Sequence, residues 1–136
     1  MKGLDIPATE KSPRVLFDTS RNLFEIQGNS RPENVRDFYF SIIYKLRKYF
    51  EKVIEKNTLE SFNEEGFKFN FKLDYFNSAS AKFLSDILVI IRDFSEKGMK
   101  IKINWYFADG DEDMQEVGED FADMISFPFN FIMVEK

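Results

Sequence analysis

The sequence predicts an α/β fold: a single domain over residues 1–136, with a mixed sheet of about five strands and about three main helices mostly on one face. Three observations carry this. Phe67, Phe69, Phe71, Leu73 and Tyr75 alternate with Lys68, Asn70, Lys72 and Asp74, the period of a half-buried strand. Phe83, Leu84, Ile87, Leu88, Ile91 and Phe94 then recur at helical spacing, with Lys97 in the last turn and Gly98 as a stop signal. Finally, Lys68, Asn70, Lys72, Lys102 and Asn104 occupy the second strand face. Strands covered on both faces read as unbroken apolar runs, so here the helices belong on one side.

From the N-terminus, Leu4 to Pro13 lacks periodicity and carries Ile6-Pro7 and Ser12-Pro13, so it is expected to run extended over the surface. Val15 and Phe17, then Leu23 to Gln27 after the Thr19 to Asn22 turn, read as a hairpin. Gly28 to Asn34 opens a helix, with Ser30 and Glu33 at capping-box spacing and Pro32 in the first turn. Val35, Phe38, Tyr39, Ile42, Ile43, Leu46, Phe50, Val53 and Ile54 form one stripe, which carries that helix to Lys56. Asn57 to Gly66 reads as a polar connector tolerant of length change. Ile101, Ile103 and Trp105 mark another strand. Met114, Val117, Phe121 and Met124 mark a third helix despite Gly118. Phe127, Phe129, Phe131 and Met133 mark a closing strand, which Pro128 assigns to an edge. Strands separated by helices imply right-handed parallel crossovers after the hairpin.

Composition removes many functions. Of 136 residues 43% are hydrophobic, with 17 Phe, ample for a packed core; the Phe positions follow strand and helix periods and so belong to that core rather than to a nucleic-acid stacking platform. The longest apolar run, Ile87 to Ile91, is far short of the ~20 residues that cross a bilayer, and no basic-then-apolar leader opens the chain, so a cytoplasmic protein without membrane contact is expected. The chain has neither Cys nor His, which removes disulfides, thiol chemistry, the commonest general base and the commonest transition-metal ligand. A net charge of −5 argues against nucleic-acid binding, and Lys45, Lys48, Lys52 and Lys56, interleaved with Glu51 and Glu55, read as a solvated helix face.

In parallel β-α units the loops leaving the strands gather at one sheet edge. Gly28 to Asn34, Phe76 to Ser80 and Asp109 to Asp113 should therefore meet there. Asn77, Ser78 and Ser80 are good N-cap residues at a strand-to-helix junction, and a helix N-terminus favours an anion. The plainer reading is that Asn77 or Ser78 only caps the helix. Asp109, Asp111, Asp113 and Asp120 fall at four ligand positions of an EF-hand loop, but Met114 stands where the turn needs Gly and Asp120 replaces the bidentate Glu, so no metal site is expected. The acids on one loop and an exposed helix do not make a paired-carboxylate hydrolase, and there is no Gly-rich phosphate loop, nucleophile elbow or metalloprotease pattern.

Ile6-Pro7-Ala8-Thr9 with Ser12-Pro13, Gly28-Asn29-Ser30-Arg31-Pro32-Glu33-Asn34, Tyr75 to Lys82, Trp105-Tyr106 with the acidic loop after it, and Phe127-Pro128-Phe129 together resemble the SiaC-like bacterial regulatory phosphoproteins, which share the fold of STAS anti-sigma-factor antagonists. The resemblance implies a STAS-like domain without enzymatic activity or cofactor. It implies that the hydroxyl residue after the Asn, Ser78, is the phosphoacceptor rather than Ser80. The best-described member has Thr there followed by Ser, where this chain has Ser78 and Ala79. The partners implied are a cognate anti-sigma-type serine/threonine kinase, an opposing metal-dependent phosphatase, and an effector such as a diguanylate cyclase bound by the unphosphorylated form. Partner-facing residues are then expected at Asn29, Ser30, Arg31, Glu33, Asn34, Asn77, Ser80, Asp109 and Asp111. Two rival classes are a small-ligand or enzymatic domain using Asp109, Asp111 or Asp113, and a constitutive scaffold.

The acidic loop yields one direct test. Calorimetric titration with calcium should detect no submicromolar binding, because the turn Gly and the bidentate Glu are both missing.

Overall fold

The alternation in the sequence becomes, in a computed structural model describing residues 3–135, a six-stranded sheet whose spatial order is its chain order. Strands β1 (Leu4–Ile6), β2 (Arg14–Asp18) and β3 (Leu23–Ser30) form an antiparallel meander. Helices α1 (Val35–Glu55) and α2 (Leu59–Glu65) lead to β4 (Phe67–Phe76), α3 (Ser78–Glu96) to β5 (Ile101–Ala108), and α4 (Glu112–Ile125) to β6 (Asn130–Val134). β3 to β6 pair in parallel, so the sheet is mixed and β6 lies at an edge, as Pro128 led one to expect. Among the described residues no helix is long and apolar enough to cross a membrane.

The core lies between one sheet face and the helices. Phe24, Ile26, Phe69, Phe71, Ile103 and Trp105 on the strands, and Ile42, Leu46, Ile87 and Ile91 on α1 and α3, are all buried. Removing each such side chain from water is worth about 1.5–3 kcal/mol. The opposite face is held by polar groups in register across four strands. Asn70 Nδ2 donates to Glu25 (3.1 Å), Asn104 Nδ2 to Asn70 Oδ1 (2.8 Å), and Asn130 Nδ2 to Asn104 Oδ1 (3.1 Å). Lys72 closes the end of this ladder on Glu25 at 3.1 Å. Burial alone would push the Glu25 carboxyl up, but the Asn70 and Lys72 contacts outweigh it and hold the group below its usual range.

Four expectations need correction. The N-terminal segment does not simply run over the surface, because Leu4–Ile6 adds a strand to β2. The polar connector contains α2, whose Phe62 is buried against Phe50 and Phe67. Asn63 of α2 further clamps the chain by donating to the Gly98 carbonyl and accepting from Lys100 N–H, each at 2.8 Å, so this stretch has a required length. The capping box at Ser30 and Glu33 is not formed: β3 runs on to Ser30 and α1 starts at Val35 after Asn34. Tyr75, expected on the buried face of β4, is 50% exposed, for a reason given below.

Gly118 explains why a glycine interrupts the third helical stripe. A Cβ at this position would lie 2.5 Å from Trp105 Cδ1 and Nε1, so α4 rests its backbone directly on the indole. Trp105 Nε1 also donates to the Met114 carbonyl at 3.0 Å, which fixes the ring under the helix. Helix propensity favours Ala over Gly by about 1 kcal/mol. Gly118→Ala should nevertheless destabilise the domain by about 1–3 kcal/mol through overpacking, read as a lowered midpoint in urea unfolding.

Candidate functional site

The junction between β4 and α3 is built by an irregularity in strand pairing. Gly28 pairs with Leu73 and Asn29 with Tyr75, so Asp74 is an extra residue in β4. One inserted residue reverses the faces of everything after it. Asp74 and Tyr75 both become exposed, and Phe76 turns inward to stack on Phe121 with ring centroids 6.2 Å apart. Gly28, opposite, takes φ +109, a conformation that L side chains rarely adopt.

Asn77 then ends the strand in an extended conformation and caps α3. Its Oδ1 accepts from Ser80 N–H (2.9 Å) and its carbonyl from Ala81 N–H (2.9 Å), while its own N–H donates to the Ser30 carbonyl at 3.1 Å. Ser78 is therefore the first residue of the helix, and it is exposed. The first N–H groups, at Ser78 and Ala79, precede any helical acceptor, and no acidic side chain sits in this first turn. A group bearing negative charge on Ser78 would meet the positive end of α3.

Ser80 has the opposite environment. Both Ser80 and Ser30 are fully buried. Ser80 O–H donates to the Ser30 carbonyl at 2.9 Å, so its oxygen accepts from the Ser30 hydroxyl, also at 2.9 Å. Each hydroxyl has one proton, and those of Ser80 and Ser30 are already committed. The buried Tyr39 O–H is accordingly the donor in its short contact with Ser30 Oγ. Protons thus run in one direction, from Tyr39 to Ser30 to Ser80 to the Ser30 carbonyl, and among the described residues no buried side-chain polar atom is left without a partner. Burial pushes the Tyr39 hydroxyl up to about 12, although its bond to Ser30 acts against the shift.

The remaining expected site residues separate into groups. Asn29 is exposed beside Tyr75 in the β3–β4 register. Arg31 and Glu33 are exposed and tied to the N-terminal turn: Arg31 N–H donates to the Lys11 carbonyl at 2.8 Å, and Lys11 Nζ meets Glu33 at 3.1 Å. Asn34 precedes α1 and bonds Asp37 at 2.6 Å. Ser30 and Ser80 present no surface, so their expected place in a partner contact becomes an internal role. Asp109 N–H donates to the Val134 carbonyl (2.8 Å), and Asp111 caps α4 through Met114 N–H (3.1 Å). Asp111 N–H also donates to the Ala108 carbonyl at 2.9 Å, so the acidic loop is bonded to β5, β6 and its own helix, whereas Asn77 before α3 is bonded to Ser30 at the end of β3. Tyr39 was legible only as a core residue, because its place in the α1 stripe gives no sign of a buried hydroxyl network.

A sequence model described as SiaC family regulatory phosphoprotein matches residues 6–134. An uncharacterized protein of Pseudomonas aeruginosa (strain UCBPP-PA14) is 25% identical over 129 residues, which is 95% of this chain and 94% of that one. A chain in the crystal structure of diguanylate cyclase SiaD in complex with its activator SiaC, from Pseudomonas aeruginosa, superimposes with a TM-score of 0.76 at 25% identity, covering 96% of this chain and 99% of that one. The apo-SiaC crystal structure from the same organism gives 0.74 at 25% identity, covering 97% and 99%.

Tyr39→Phe should cost about 1–3 kcal/mol, because Ser30 Oγ loses its donor in a buried site. The pH dependence has a definite sign. The unfolded chain releases this proton near the ordinary value of 10.0 and the folded chain near 12, so the contribution of Tyr39 to stability is fully present below pH 10.0 and is lost as pH rises toward 12. Denaturant unfolding across that window should show the loss in wild type and a shallower one in Tyr39→Phe, and a tyrosinate absorbance titration should lose its latest component in the variant.

Proposed function

The chain belongs to the SiaC family of regulatory phosphoproteins, and from that membership we propose a non-enzymatic signalling protein switched by reversible phosphorylation of Ser78. The observation that carries this is the contrast within one helical turn: Ser78 is exposed at the first position of α3, while Ser80 is buried with its hydroxyl committed. A kinase active site reaches the first hydroxyl without disturbing the fold. Reaching the second requires breaking the Tyr39–Ser30–Ser80 chain. Phosphorylation adds about −1.5 to −2 charge and three acceptor oxygens. At this place the α3 N–H groups hold the phosphate locally, so the switch needs no refolding.

The effector surface in this reading surrounds Ser78. Tyr75, half exposed by the bulge at Asp74, and exposed Asn29 supply an aromatic anchor with a polar neighbour. A partner docked over that surface meets a new doubly charged group that it must desolvate or pair, which shifts binding by several kcal/mol. Because a related chain occurs in complex with a diguanylate cyclase, we assign a cyclase of that class as the effector of the unphosphorylated form. An anti-sigma-type kinase and a metal-dependent phosphatase in the cytoplasm would set the phosphorylation state.

Phosphopeptide mapping after reaction with the cognate kinase should place phosphate on Ser78, and Ser78→Ala should abolish incorporation while changing stability by less than about 1 kcal/mol, since Asn77 supplies the cap. Ser78→Asp should weaken cyclase binding only in part, because one carboxylate has less charge and fewer acceptors than a phosphate. Phosphate on Ser80, or equal cyclase affinity for both forms, would falsify the switch.

A further inference from the structure

We propose that the groove between α1 and α3, on the side away from the sheet, docks an acidic amphipathic helix of a partner protein. Helix α1 carries two stripes. Tyr39, Ile42, Leu46, Phe50 and Val53 face the core, while Arg36, Phe40, Ile43 and Arg47 recur at i, i+4, i+7 and i+11 along a second line. This heptad-like repeat is the spacing with which one helix receives another. Phe83, Val89 and Ile90 of α3 form the facing wall, and together the two helices line a cavity of about 600 Å³. Phe40 is 62% exposed at its rim. An aromatic side chain left in water on a repeat of this kind calls for an apolar partner surface.

Charge selects the occupant. The chain as a whole has net charge −5, yet the groove is rimmed by Arg36, Arg47 and Lys82 against the lone acid Asp86. Lys82 is paired with Asp86 at 3.0 Å, whereas among the described residues Arg36 and Arg47 have no carboxylate within ion-pair distance. The two arginines mark the ends of the apolar floor and lie about 16 Å apart along the α1 axis. A complementary helix therefore contributes about three turns, with apolar residues at i, i+3 or i+4, and i+7 between carboxylates near its two ends. So few cations over a recessed apolar floor, on a negatively charged protein, fit neither a nucleic-acid backbone nor an anionic membrane.

The test uses the full chain and a labelled synthetic peptide of about 15 residues with this pattern, its counterpart with Lys for Glu, and a scrambled acidic peptide of the same composition. Because neither kinase nor cyclase takes part, its outcome is separate from that of the Ser78 assays. In fluorescence anisotropy the patterned acidic helix should bind at least about tenfold tighter than the Lys counterpart. Arg36→Glu with Arg47→Glu should reverse that order, and Phe40→Ala should weaken binding by about tenfold. Thermal unfolding of the variants checks that these exposed changes leave the fold intact. Amide shifts in NMR should fall on Phe40, Ile43, Phe83 and Val89. No binding of the patterned peptide, equal binding of the scrambled one, or tighter binding of anionic vesicles or a short oligonucleotide would each overturn the proposal.

Discussion

Ser30 is the point on which the site depends. Its carbonyl accepts from both Asn77 N–H and Ser80 O–H, and its hydroxyl joins Tyr39 to Ser80. One residue at the end of β3 thereby holds the end of β4, the first turn of α3 and the middle of the first α1 turns. Buried hydroxyls are costly when unpaired and specific when every proton has one destination. Here each proton has one destination, so the first turn of α3 is held at a single height relative to the sheet and the hydroxyl of Ser78 stands clear of it.

The sheet supports this placement by being covered on one side only. The Glu25–Asn70–Asn104–Asn130 ladder keeps the far face polar and the strands in register, so the helices have one apolar surface to pack on. How closely each helix sits depends on its small residues. Gly118 lets α4 approach Trp105, and that approach puts Phe121 where it meets Trp105 edge-on and stacks on Phe76. Phe76 is the residue that the extra Asp74 turns inward. The helix layer and the strand bulge therefore reinforce one another directly before Asn77.

Phe83 connects this interior with the outer groove. Its ring stacks on Tyr39 at 5.7 Å with an interplanar angle of 3°, and the Lys82 ammonium lies over the same ring, 4.7 Å from its centroid. The same side chain lines the groove between α1 and α3. The exposed start of α3, the buried hydroxyl chain and the groove are thus consecutive contacts along one helix.

The alternating Phe strands, the helical stripes and the strand-to-helix change at Asn77 were legible in the sequence, because each is a local periodicity set by which faces are buried. The family resemblance likewise rests on short local motifs, among them Asn77-Ser78 at the strand-to-helix change. Other features are decided only by tertiary pairing. Tyr75 continues the strand alternation in the sequence, yet a bulge that exists only against β3 sends it to solvent. Ser30 reads as a helix cap until β3 claims it, and Phe62 reads as part of a polar connector until it meets Phe50 and Phe67. Gly118 looks like a flaw in a helix until Trp105 lies beneath it. Ser78 and Ser80 are equivalent as residues; what separates an exposed hydroxyl from a committed one is the position of Ser30, 50 residues away from Ser80 in the chain.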